Sequence, residues 1–149
     1  MSANGAIAKA NELAAEYENS FIPGQFENPA NPMVHKSHTA LEIIEQVGKP
    51  IDGFCSGVGT GGTLSGIGET LKEKYPDIHI WAVEPKNAAI LSGGSIGTHL
   101  QMGIGDGLIP KNLNTHIYEH IDIVTDEEAI NTSRRLIREA GILCGISSG

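Results

Sequence analysis

The 149-residue chain sets 10 Lys and Arg against 18 Asp and Glu, a net charge of −8, with 40% hydrophobic residues. Its longest basic cluster is Arg134-Arg135 and no apolar run reaches membrane-span length, which disfavours nucleic-acid and membrane binding and predicts a soluble, cytoplasmic protein. Nineteen Gly without a fixed period exclude collagen-like and repeat architectures, and the length fits one domain or a piece of one.

Taken in order, residues 3–18 read as a helix with Ile7, Ala10, Ala14 and Tyr17 on one face. Pro23-Gly24 interrupts the chain. Gln25 to Pro32, with two Asn-Pro steps, reads as an extended, turn-rich connector, and the polar amide of Gln25 leaves a binding role open. A second helix is expected over residues 35–47, carrying Leu41, Ile44 and Val47 on its face and ended by Gly48-Lys49-Pro50. A short buried strand over residues 51–55 follows, then a helix over 64–75 built on Leu64, Ile67 and Leu71, then a strand over 78–83. Strand, helix and strand at this spacing predict a βαβ unit, hence a parallel sheet with a right-handed crossover.

Residues 86–110 hold too many glycines for a core helix and are expected to be irregular, either functional or a surface excursion. Ile117-Tyr118 and residues 121–124 are strand-like. Thr125-Asp126-Glu127-Glu128 is a capping box that opens a helix to Ala140, with Gly141 as its C-terminal cap. Residues 142–146 read as another buried strand. Ser147-Ser148-Gly149 reads as a turn leading into a further helix, so the chain is expected to be part of a longer protein. Cys55 and Cys144 sit in apolar stretches and are expected to be buried, inert thiols. The six His show no metal-ligand frame, so no metal is expected.

The chemistry concentrates in Ser56-Gly57-Val58-Gly59-Thr60-Gly61-Gly62-Thr63, a Gly-rich turn between an expected strand and an expected helix. Glycine lets a ligand approach the backbone, the helix start leaves N–H groups without intrahelical partners, and the helix dipole adds positive charge. Together these predict an anion site, with phosphate the usual guest and the Thr hydroxyls as extra donors. Gly57, Gly59 and Gly62 also fit the dinucleotide fingerprint, with Glu84 where a ribose-binding acid would stand. A turn that only packs helix on strand is the third reading.

Several segments in order carry a resemblance: Gln25-Phe26-Glu27-Asn28-Pro29-Ala30-Asn31-Pro32, the Gly-rich turn, Val83-Glu84-Pro85, Ser92-Gly93-Gly94, residues 103–110 and residues 141–149. Over nearly its whole length the chain resembles cysteine synthase, the O-acetylserine sulfhydrylase of the fold-type II pyridoxal-phosphate enzymes. The resemblance implies an α/β fold, a three-layer open parallel sheet with helices on both faces. Residues 1–24 would end the family's first domain, and 25–149 would form part of its C-terminal, phosphate-binding domain. It implies pyridoxal 5'-phosphate as cofactor, with Gly59, Thr60, Gly61, Gly62 and Thr63 around the phosphate and Ser147 on the pyridine nitrogen. Gln25 would help bind the substrate carboxylate, and Gly103 belongs to a loop that closes on substrate. The implied reaction eliminates acetate from O-acetylserine and adds sulfide. The implied partners are a second copy of the whole protein and the tail of a serine acetyltransferase.

The family's cofactor-bonding Lys lies in an upstream segment, and none of the seven Lys here stands in that context, so no residue of this chain is assigned a catalytic role. The family's Thr-Ser-Gly-Asn loop for the substrate carboxylate has no match either. Ala40 and Asp106 replace residues more usual in the family, as do Ile96 and Thr98. Cystathionine β-synthase shares these motifs and is the nearest enzyme alternative. A NAD-binding module and a non-catalytic remnant are the alternatives from other classes.

Overall fold

The structure, a computed structural model, describes residues 3–149. Three strands, β1 (Gly53–Gly57), β2 (His79–Pro85) and β3 (His120–Val124), form one sheet in the order β1-β2-β3. Both pairings are parallel, with Cys55 opposite Trp81 and Trp81 opposite His120. The helices are α1 (Ala3–Glu16), α2 (Ala30–Val34), α3 (Ala40–Val47), α4 (Gly62–Lys74) and α5 (Asp126–Ala140). This is the α/β parallel-sheet architecture expected, with α4 as the crossover from β1 to β2.

Helix α4 supplies the core. Leu64 and Leu71 are fully buried and Ile67 nearly so, at the spacing that puts them on one helix face. They meet Ile80 and Ala82, alternate residues of β2 and therefore on one face of the sheet, together with Ile78. Ala40 closes the cluster from α3, and its helical dihedrals suit Ala as well as Gly. The opposite face of β2 turns Trp81 to solvent. Cys55 shares that face and is exposed, which corrects the expectation of a buried thiol; Cys144 is half-buried, and both are free.

The segment from Ala30 to Val47 departs most from expectation. Helix α2, a π-helical turn (His35–Thr39) and α3 run on without a break, since Val34, Thr39 and Ala40 all keep right-handed helical dihedrals. The helix therefore begins at Ala30, not His35, and takes in the second Asn-Pro step. Pro29 is the N-cap and Pro32 falls in the first turn, where no intrahelical N–H bond is lost. Gly48 ends the run at φ +64, as its position in the sequence indicated.

Two strand expectations fail. Ile117-Tyr118 lies in a turn ahead of β3. Residues 142–146 form no strand, and Leu143 is 86% exposed. Among the described residues no strand runs beside them to take up their backbone groups, and an apolar run alone does not make a ladder. They lead instead to a 3-10 turn (Ile146–Ser148). Helix α1 is also less buried than its pattern suggests, with Ile7 and Tyr17 exposed. No helix among the described residues is long and apolar enough to cross a membrane.

Helix α5 opens on the expected capping box: the Thr125 hydroxyl accepts from the Glu128 N–H, and the Glu128 carboxylate accepts from the Thr125 N–H. The Thr125 hydroxyl, and then its N–H, hold the Glu128 carboxyl below its ordinary value. A lowered carboxyl stabilises the fold above its unfolded value and loses that contribution as pH falls through the folded value. The protection factor of the Thr125 amide, its exchange rate relative to an unstructured amide at the same pH, should therefore fall in acid, and Glu128→Gln should flatten that dependence. Leu71→Ala should lower stability by about 2–5 kcal/mol, read from urea unfolding.

Candidate functional site

The Gly-rich turn joins the carboxyl end of β1 to the N-terminus of α4. Gly61 is the N-cap at φ +80, a left-handed conformation, and a Cβ there would lie 2.7 Å from Leu113 Cβ. A Cβ on Gly59 would lie 2.5 Å from the Gly103 carbonyl oxygen. The backbone N–H groups of Gly59, Thr60, Gly61, Gly62, Thr63 and Leu64 have no hydrogen-bond partner among the described residues. Six neighbouring donors at the positive end of a 13-residue helix form an anion cup. These features fit a phosphate monoester: the donors are unspent, and the bare glycines let Gly103, Leu113 and Asn31 pack closely around the loop that presents them.

The structure brings two more predicted residues, Gln25 and Gly103, to this cup. The carbonyl of Gln25 accepts from Asn31 Nδ2 at 2.9 Å, and the same nitrogen donates to Thr60 Oγ1 at 2.8 Å. The Gln25 side chain is exposed at the cup's edge. Gly103, at φ +94, lies against Gly59, and the Gly105 N–H donates to the Val58 carbonyl at 3.0 Å. Thr63 is exposed, and its Oγ1 meets His35 Nε2 at 3.4 Å. Ser147 is not brought to the cup: it lies in the 3-10 turn Ile146–Ser148, which follows no strand. Gly149 packs against Ala129 and Ser133 in the first turns of α5, which starts at the carboxyl end of β3.

Residues 86–110 are irregular yet pinned. The buried Glu84 carboxylate accepts from the N–H groups of Leu91 and Ser92 at 2.8 and 2.9 Å. The buried Gln101 amide donates to the Val124 carbonyl and to Asp126 Oδ1. With its carboxylate committed to that loop, Glu84 has no reach to a ribose, which removes the main support for a dinucleotide site. Asp106 is half-buried, and its Oδ2 lies 3.7 Å from the position of a Cβ on Gly59. Asp106, Gln25, Phe26, Leu108 and Ile109 help line a cleft of about 740 Å³ between α1 and the rest of the chain. Behind the lining, the Asn112 side chain donates to the Gln25 carbonyl at 2.8 Å.

Sequence reasoning missed Asn31, His35 and Asn112. Asn31 stood in a supposed connector, and no signal marked the Asn-Pro segment as the back wall of the cup. His35 is one of six scattered His in the sequence, with no local pattern that marks it.

A family model described as "Pyridoxal-phosphate dependent enzyme" matches residues 2–149. The chain belongs to that family. Among its members, a cysteine synthase of Staphylococcus aureus is 54% identical over 146 residues, covering 97% of this chain and 47% of the relative. A solved cysteine synthase of Entamoeba histolytica superposes with a TM-score of 0.91 at 38% identity, covering 97% of this chain and 43% of that one. An O-acetylserine dependent cystathionine beta-synthase of Helicobacter pylori gives 0.91 at 39% identity, over 97% of this chain and 47% of that one. The chain thus spans about half the length of the relatives it matches.

Gly61→Ala should combine strain at positive φ with overlap against Leu113. We expect a loss of about 1–3 kcal/mol in urea unfolding.

Proposed function

We propose that the whole protein is a cytoplasmic cysteine synthase that makes cysteine from O-acetylserine and sulfide with pyridoxal phosphate, and that this chain supplies its phosphate cup and part of its substrate cleft. The observation that carries the reading is the cluster of unpartnered N–H groups from Gly59 to Leu64, with Thr60 and Thr63 beside them and Gln25 and Gly103 brought to the same place.

Each residue then has a task. Gly59, Thr60, Gly61, Gly62 and Thr63 anchor the phosphate and so fix the cofactor's position. When bound, the cofactor supplies the electron-withdrawing ring that eases bond breaking next to the substrate amine. Ser147 offers a hydroxyl to the ring nitrogen, and a neutral partner there leaves the nitrogen unprotonated and the ring a weaker electron sink, suited to β-elimination. Gln25 contributes an amide to the substrate carboxylate. Gly103, with no side chain and a left-handed backbone, lets its loop approach substrate closely. Phe26, Leu108 and Ile109 give the cleft an apolar lining that limits water.

In this reading α1 and the residues to Gly24 belong to the first domain, and the cleft between α1 and residues 106–111 is the domain boundary. The resemblance brings two macromolecular partners with it, a second copy of the whole protein and an acetyltransferase tail entering the cleft. The Helicobacter relative keeps cystathionine formation as the second reading, since its fold matches equally well.

The chain alone, mixed with pyridoxal phosphate, should form no cysteine from O-acetylserine and sulfide above background. It should also yield no borohydride-reducible adduct, because its Lys residues stand outside the family's cofactor-bonding segment. Turnover together with an adduct on one specific Lys would refute this division of roles. A chain whose amides from Gly59 to Thr63 respond to pyridoxal as strongly as to pyridoxal phosphate would refute the phosphate cup.

A further inference from the structure

Both hydroxyls of the cup are approached from behind by one helix. Asn31 Nδ2 lies 2.8 Å from Thr60 Oγ1, and His35 Nε2 lies 3.4 Å from Thr63 Oγ1. Asn31 and His35 are one helical turn apart and so share a face. The groups behind them settle which atoms donate. The Asn31 amide nitrogen also bonds the Gln25 carbonyl, which can only accept, so nitrogen rather than oxygen faces Thr60. Thr39 Oγ1 lies 3.1 Å from His35 Nδ1. When the Thr39 hydroxyl donates to Nδ1, a neutral imidazole carries its proton on Nε2 and donates to Thr63.

We propose that Asn31 and His35 are positioning residues that hold Thr60 and Thr63 as donors to the bound phosphate. The proposal rests on the phosphate reading of the cup. A hydroxyl that accepts a hydrogen bond from behind keeps its own O–H free to point forward. Left unbacked, each Thr hydroxyl can turn its proton onto a nearby backbone carbonyl and present a lone pair to the anion. Asn31 and His35 remove that alternative at both positions. The segment His35–Thr39, whose two ends form the relay behind Thr63, is also the π-helical turn of the run from Ala30 to Val47, and such turns recur at functional sites. Gly66 makes the approach possible: a Cβ there would lie 2.8 Å from His35 Cβ.

The test is a titration of the isotopically labelled 149-residue chain with inorganic phosphate, following the amides of Gly59 to Thr63. His35→Leu should weaken phosphate about fivefold, the scale of one hydrogen bond, while His35→Gln, which restores a donor near the Nε2 position, should stay within about twofold of the parent. In a Thr63→Val background His35→Leu should have no further effect, because the hydroxyl it backs is gone. A role in packing alone would give the same loss in both backgrounds, and that result, or parental affinity in His35→Leu, overturns the proposal. Should His35→Leu fail to fold by circular dichroism, Thr39→Val carries the same comparison. It should weaken phosphate with Thr63 present and not without it, and the opposite result again overturns the proposal. No amide response in the parent chain would overturn the phosphate reading itself, whereas a normal parent with indifferent variants refutes only the relay.

Discussion

The close approach of two helix backbones is the constraint on which this site depends. Helix α2 and its π-helical turn lie directly on α4, and they do so where α4 has Gly62 and Gly66 in place of side chains. A Cβ at Gly66 would meet the Pro32 carbonyl and His35, and one at Gly62 would collide with the Asn31 side chain. Removing two methyl groups from α4 costs helix propensity, about 1 kcal/mol at an interior Gly. In return the Asn31 amide and the His35 ring reach the cup. Lys36, next in the chain, pairs with Glu69 and Glu73 of α4 and lies on the exposed side of the same contact. Such a pair adds little by itself, so the seating of α2 depends on shape more than on charge.

A second constraint is the treatment of the long irregular segment. Two buried polar side chains, Glu84 and Gln101, spend their hydrogen-bonding capacity on the backbone N–H groups of Leu91 and Ser92 and on the ends of β3 and α5. A buried carboxylate unpaired with any base is costly unless hydrogen-bonded, and two N–H donors at under 3 Å satisfy it. The glycines at 103, 105 and 107 all take positive φ, which lets the chain fold back on the cup without a helix or strand to guide it.

Much of this was legible in the sequence. The period of Leu64, Ile67 and Leu71 placed α4, and the strand expected over residues 78–83 is β2 (His79–Pro85). The capping box and Gly141 fixed both ends of α5. Local physics determines each of these, so local reading finds them. The misses are tertiary. Residues 142–146 have the composition of a strand, but a strand exists only with a neighbour. Asn31-Pro32 reads as a helix breaker until Pro29 is seen to start the helix one turn earlier. The cup itself was read from its glycines, while its supporting residues were not, because a hydrogen bond between Asn31 and Thr60 spans 29 positions and leaves no local trace.

The cleft wall is closed by links far longer than that. Asn112 bonds the Gln25 carbonyl across 87 positions, its N–H bonds the Phe26 carbonyl, and Lys111 pairs with Glu27 across 84. Closing such a loop is entropically uphill until the contacts that reward it are in place. The β1–α4–β2 unit, by contrast, is built from neighbours in the chain. The order of assembly follows: the Gly-rich turn belongs to the early, locally encoded part, and the cleft wall is completed last. The same wall is the first to come undone in a partial opening, since it rests on a few polar links, the Lys111–Glu27 pair among them exposed, and not on the buried apolar cluster. A molecule that loses its cleft by this route still keeps the row of free N–H donors at the start of α4.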